Sequence, residues 1–192
     1  MGNCIFLIVG CSGSGKTTIT EQLEQKYGLK SIQSYTTRKP RYEGETGHIF
    51  ISDEEFDKLT DMVAYTEFAG NRYCATAEQV ENNDLYVIDP NGVKFFMKSY
   101  TGKKTPKIIY INSDLNVRYE RMVKRAEENG DDFITAVDKA LGRIKTDVVE
   151  FYDFAHNNAH VDFTVDNNKN GNLIQVVNKI YDYICDCERE VK

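Results

Sequence analysis

Residues 4–9 (CIFLIV) form an unbroken apolar run, the pattern of a strand buried on both faces of a parallel sheet. Gly10 to Gly15 interrupt it, and Thr17 to Tyr27 then carry Ile19 and Leu23 at helical spacing, with Gly28 as a helix stop. Leu85–Ile88, Lys107–Ile111 and Val161–Val165 repeat the buried-strand pattern. Between and after them, Leu115, Tyr119, Met122 and Val123 recur at i, i+4, i+7 and i+8, and Leu173, Val176, Val177, Ile180 and Ile184 mark a second amphipathic helix. Strands alternating with helices of this length predict βαβ units and a parallel sheet. The stretch from Thr36 to Asn83 breaks the alternation. It opens on the polar, turn-rich TTRKPRYEGETG, which follows a predicted second strand. Short alternating pieces come next (His48–Ile51, Val63–Phe68) around a small helix at Asp53–Leu59, and Asn71 is placed in a tight antiparallel turn. This is the pattern of a compact insertion into an α/β core.

Composition narrows the class. A chain of 192 residues, 41% hydrophobic and 28% charged, suits a single globular domain with a real core and excludes disorder or low complexity. The first apolar run is six residues long, far below the ~18 that span a bilayer. It has no basic leader or small-residue cleavage site, so neither a membrane span nor a secretion signal is expected. A net charge of −6 argues against coating nucleic acid but not against a small anionic ligand, which feels local charge. Five scattered cysteines (Cys4, Cys11, Cys74, Cys185, Cys187) make no CxxC pair, which points to a reducing, cytoplasmic setting. Cys185 and Cys187 are expected to be exposed near a helix end.

The strongest chemical signal is Gly10-Cys11-Ser12-Gly13-Ser14-Gly15-Lys16-Thr17, a G-x-x-x-x-G-K-[ST] sequence set between a strand and a helix. Glycines let successive N–H groups converge on one phosphate at a helix N-terminus. In this pattern Gly10 through Thr18 contact a nucleoside triphosphate, Lys16 bridges its β- and γ-phosphates, and the Thr17 hydroxyl ligates Mg²⁺. Some twenty residues on, Ser34-Tyr35-Thr36-Thr37-Arg38-Lys39-Pro40-Arg41 puts two arginines three apart around a stiffening proline. Guanidinium forks held this way suit a second phosphate. Between Arg125 and Arg143, AEENGDDFITAVDKALG predicts two helical arms around an Asn129-Gly130-Asp131 turn.

Together, SGSGKTT, SYTTRKPR, a GETG turn, SDEEF, GNRY and IDPNG resemble guanylate kinase in order and spacing across nearly the whole chain. The resemblance implies a P-loop nucleoside monophosphate kinase fold: a three-layer parallel-sheet core (1–34 and 84–192), a monophosphate-binding insertion (35–83) and a helical lid near 125–143, all in one domain. It implies transfer of the γ-phosphate of ATP to GMP or dGMP with Mg²⁺. Ser34, Arg38, Arg41, His48, Tyr73 and Asp89 would line the acceptor pocket, and Lys16, Arg38, Arg121, Arg125 and Arg143 would serve the transfer. Several positions depart from the family pattern. His48 replaces a tyrosine, Ala64 a guanine-reading glutamate, Cys74 a glycine, Ala75 a hydroxyl residue and Val87 a carboxylate. These departures keep open a related P-loop kinase acting on another nucleotide or phosphorylated acceptor. A non-catalytic guanylate kinase-like binding module fits less well, since Lys16, Thr17 and the lid arginines are all present. Partners are therefore expected to be small nucleotides, with no nucleic acid and no membrane, on a monomer or homodimer. His156 and His160 stand four apart but lack the glutamate of a zinc-protease helix, so no metal site is expected there.

Overall fold

The computed structural model describes residues 2–40, 43–68, 70–156, 160–168 and 173–191. Its first sheet has the order β6-β1-β7-β8, built from Cys4–Val9 (β1), Leu85–Val87 (β6), Thr105–Asn112 (β7) and Phe163–Asp166 (β8), and every pairing in it is parallel. All six side chains of β1 are buried, as its unbroken apolar run requires. Cys4, Phe6 and Ile8 face a cluster with Ile19 and Leu23 of helix α1 (Lys16–Tyr27) and Val176, Val177, Ile180 and Ile184 of helix α7 (Leu173–Glu190). Ile5, Leu7 and Val9 face the other way, toward Val93 and Phe96 of helix α4 (Pro90–Ser99) and Phe151 and Phe154 of helix α6 (Phe133–His156). Helices on both faces of a parallel sheet give the three-layer α/β arrangement. Ile180 is fully buried on the α7 side. Ile180→Ala should lower the unfolding free energy by about 3 kcal/mol, read as a shifted urea midpoint at unchanged slope.

A second sheet, ordered β3-β2-β5-β4, uses Ser34–Thr36 (β2), His48–Phe50 (β3), Met62–Phe68 (β4) and Asn71–Thr76 (β5). Here β2 pairs with β3 in parallel and with β5 antiparallel, and β4–β5 is a hairpin. Two expectations shift. Ser34-Tyr35-Thr36 is itself a strand, because its backbone is captured by β3 and β5. Asn71 opens β5 opposite Phe68, so the turn lies one step earlier, at Gly70 with φ 74°. The small helix α2 (Asp53–Phe56) is shorter than predicted. It begins with a reciprocal capping box between Ser52 and Glu55, and Arg72 of β5 fastens it through Asp53 and Asp57. Helix α3 (Ala77–Asn82) returns the chain to β6.

Helix α5 (Leu115–Glu128) and α6 form an antiparallel pair around Met122, Val123, Ala136 and Ala140. The predicted turn lies between them, with Gly130 at φ 94° and the Asp132 side chain accepting from the Ile134 and Thr135 N–H groups. Phe151 and Phe154 pack in the core beside Tyr110, whereas Tyr152 points outward. The cysteine reading changes at α7: Cys187 is buried among the core residues, because its face of the helix is the one turned to β1. Among the described residues, no helix is long and apolar enough to cross a membrane.

Candidate functional site

The turn after β1 is shaped by two glycines that only glycine can occupy. Gly13 (φ 77°) and Gly15 (φ 95°) are left-handed, and a Cβ on Gly13 would lie 2.7 Å from the Arg118 carbonyl oxygen. A Cβ on Gly15 would collide with the Asn167 amide. Gly15 is the N-cap of α1 and carries no side-chain cap, so the first N–H groups of the helix face the loop's concavity. The Lys16 ammonium folds back over this concavity, donating to the Gly10 carbonyl and, at 3.2 Å, to that of Cys11. Burial pushes its pKa down to about 8, with Arg143 and Arg125 adding repulsion and Asp147 opposing it.

The loop is braced by the chain's own polar groups. Asn167, just past β8, donates to the Ser14 carbonyl at 2.8 Å. Arg121 of α5 reaches the Gly13 and Ser14 carbonyls (3.3 and 3.4 Å) and the Asn167 carbonyl (3.0 Å), and burial lowers its pKa. Arg143 of α6 donates to the Ser12 hydroxyl at 3.1 Å. One turn further along α6, Asp147 accepts from the Ser12 N–H (2.8 Å) and hydroxyl (2.9 Å) and pairs with Arg118 (3.0 Å). The Ser14 hydroxyl is buried without a hydrogen-bond partner. Arg125 lies close enough to Lys16 to depress its pKa. The Cys11 thiol lies 3.8 Å from the Tyr110 hydroxyl, and burial raises its pKa.

Of the predicted acceptor residues, Ser34, His48, Tyr73 and Asp89 line an open cleft with Ala64, Thr66, Tyr86, Val87 and Ile88. It opens at the end of β6, and β6 pairs with β1 in the register Ile8↔Val87. The cleft and the phosphate loop therefore lie at neighbouring strand ends, where open α/β sheets bind ligands. Inside it the Ser34 hydroxyl and His48 Nδ1 are 2.9 Å apart, and the His48 and Tyr73 rings meet edge-on at 5.7 Å. Asp89 caps α4 by accepting from the Gly92 N–H (2.8 Å), and its other oxygen accepts from the Thr66 hydroxyl (3.1 Å). Ala64 and Val87 turn apolar surface toward the same space, and Ala75 lies fully buried in the core behind. Glu67 is exposed on β4 and bonds Tyr65.

Arg38 stands at the end of β2, over the Phe50 ring at 5.2 Å, in a two-pronged pair with Glu45 (3.0 and 2.8 Å). Both partners are largely buried, and these hydrogen bonds hold the guanidinium above its ordinary pKa. Arg41, predicted beside it, lies outside the described residues. Thr17 sits in the first turn of α1. Among the described residues, no group of three His, Cys, Asp or Glu side chains gathers in a way that could hold a metal. His160 pairs with Asp162 at 3.5 Å.

Sequence reasoning missed Arg118, Asp147, Asn167, Thr66 and Glu45. A spacing signal existed for Asp147, four residues after Arg143 and so on the same helix face. Asn167 follows a predicted strand end, where site residues concentrate in such sheets.

The family described as an AAA domain matches residues 6–142. Over 83 residues the chain is 43% identical to the guanylate kinase of Neisseria meningitidis serogroup A, a stretch covering 40% of each protein. The aligned part thus spans well under two thirds of that relative's length. The Bartonella henselae guanylate kinase is 30% identical over 138 residues, 66% of this chain and 62% of that one. The crystal structure of guanylate kinase from Anaplasma phagocytophilum shares the fold with a TM-score of 0.55 at 17% identity, covering 98% of this chain and 88% of the other.

Proposed function

We propose that this chain, which belongs to the AAA-domain family of P-loop proteins and resembles guanylate kinase, transfers the γ-phosphate of ATP to GMP or dGMP. The observation that carries the reading is the placement of a glycine-rich loop and a cleft at adjacent strand ends. One is the loop at the end of β1, bearing Lys16; the other is the cleft at the end of β6, whose Tyr73 interacts with Arg38. One site suits a triphosphate and the other a monophosphate, with reacting oxygens brought in line between them.

In this reading Gly10 to Thr18 hold the triphosphate through backbone N–H groups, and Lys16 leaves its two carbonyl partners for the β- and γ-oxygens. Arg38 and Arg41 hold the acceptor phosphate, with Tyr73 and the Ser34–His48 pair around it. The base enters between Ala64, Val87, Thr66 and Asp89. Arg121 fixes the loop from behind, while Arg125 and Arg143 bring positive charge to the transferring group as the α5–α6 pair closes and water leaves. Mg²⁺, held by the Thr17 hydroxyl, would neutralise charge developing on the phosphates. The second sheet acts as the acceptor-holding part and the α5–α6 tip near 125–143 as the lid. Such an enzyme would work in purine nucleotide metabolism in the cytoplasm, as a monomer or homodimer.

The test is ADP release from purified protein given Mg·ATP and each of GMP, dGMP, AMP, CMP, UMP and dTMP. GMP or dGMP should exceed the rest in kcat/KM by about a hundredfold or more, the discrimination expected of a polar base-reading site. Chelation of Mg²⁺ should stop the reaction. A better rate with another monophosphate would keep the kinase and move the substrate; no transfer to any would sink the reading.

A further inference from the structure

The phosphate loop already holds an anion, one supplied by the chain itself. Asp147 of α6 accepts from both the N–H and the hydroxyl of Ser12, at 2.8 and 2.9 Å. Ser12 is the third residue of the glycine-rich loop, and the carboxylate that holds its N–H also lies close enough to the Lys16 ammonium to favour its charge, so Asp147 stands on the side of the loop where Lys16 lies. The same carboxylate takes up Arg118, which stands on α5 one turn before Arg121. This ion pair has side-chain exposures of only 12% and 5%. Ser12 is also where Arg143 arrives, so two residues of α6 one turn apart meet on one loop residue, and Arg118 of α5 joins them through Asp147.

A tether alone would not call for a charge here. A neutral amide could accept from the same N–H at far smaller desolvation cost than a buried carboxylate and its guanidinium. The charge matters because of what the loop is for. A triphosphate brings several negative charges into the space beside Asp147, where screening by water is weak and like charges repel strongly. While Asp147 is in place, Ser12's donors are occupied and Arg118 is neutralised. With Asp147 withdrawn, an N–H, a hydroxyl and a guanidinium all become available to phosphate.

We propose that Asp147 is an internal stand-in anion of the phosphate loop, which withholds Ser12 and Arg118 from a triphosphate and thereby sets how tightly it binds. It is a positioning residue and touches no reacting atom. The inference rests on the loop being a triphosphate site and is indifferent to which acceptor is used.

Calorimetric titration of Mg·ATP and of inorganic tripolyphosphate, with no acceptor present, tests it. Asp147→Asn keeps the size and an acceptor for the Ser12 N–H while removing the charge. It should bind both anions about tenfold tighter, with KM for ATP falling more than kcat changes. The doubly neutral Arg118→Gln/Asp147→Asn protein should return to within about twofold of the parent, because the released guanidinium is gone. A folded Asp147→Asn protein that binds no tighter overturns the proposal, and so does a double variant that keeps the whole gain. If Asp147→Asn does not fold, Arg118→Gln leaves the carboxylate unpaired in the loop and should weaken both anions about tenfold; undiminished binding would again reject it. Neither titration requires transfer to GMP, so a failed acceptor panel leaves this result readable.

Discussion

Lys16→Met should lower phosphoryl transfer about a thousandfold while making the nucleotide-free protein more resistant to unfolding at neutral pH. The loss follows from where the ammonium sits. It lies over the loop's concavity with only two backbone carbonyls of Gly10 and Cys11 as partners, and no other lysine is bonded to the loop among the described residues. Removing it takes away a charge aimed at the oxygens on which negative charge accumulates during transfer. The stability gain comes from the same burial. Lys16 has a folded pKa of about 8 against an ordinary 10.5, so the fold disfavours its charged form. Above pH 10.5 the lysine is neutral whether the chain is folded or not, and it costs nothing. As pH falls toward 8 the unfolded chain gains a proton that the folded one resists. Below 8 the cost is complete, at most about 3 kcal/mol. The parent should therefore melt at higher temperature as pH rises from 8 toward 10.5, while Lys16→Met should be flatter over that window. Transfer rates at neutral pH and melting curves at about pH 7, 8, 9 and 10 measure both halves. A variant that loses activity by losing its fold would contradict the second half directly.

Arg38→Ala should reduce kcat/KM for the monophosphate about a hundredfold and leave the ATP dissociation constant within about twofold. Arg38 is bound at both prongs by Glu45, so the acceptor phosphate must exchange with a carboxylate already in the geometry it needs. Lysine at this position keeps the charge but not the fork, and should recover only a small part of the loss. The substitution also leaves Glu45, 6% exposed at its side chain, without this partner. Arg38→Ala should therefore cost about 3 kcal/mol of stability, and adding Glu45→Gln should recover some of it without restoring acceptor use. Steady-state kinetics varying each substrate in turn, beside urea melts, separates the two effects. If ATP binding fails while acceptor binding holds, the second anion site has been assigned to the wrong residues.

The parallel core was legible because its evidence is local. Six consecutive apolar residues can satisfy burial on both faces only inside a sheet, and Leu173 to Ile184 repeat at the period of a helix whether or not a partner is known. The second sheet was less legible. Its strands β2 and β3 are three residues each, too short for a period-two pattern, and they exist because hydrogen bonds from β5 and from each other complete them. Cys187 shows the same limit in reverse. Two cysteines near a chain end looked alike in sequence, and packing of α7 against β1 sent one of them into the core.

The amino-acid order by itself determined the glycine-rich loop and the helix that follows it. In each case the chemistry lies between residues a few positions apart, where covalent geometry already fixes the arrangement. Only the tertiary structure decided that the loop's third residue is held by a carboxylate 135 positions away. It also decided that Arg38 is already paired with Glu45 and that Asp89 is shared between a helix cap and Thr66. These are contacts between elements, and their partners are chosen by which helices and strands pack together, a choice that no local pattern of residues encodes.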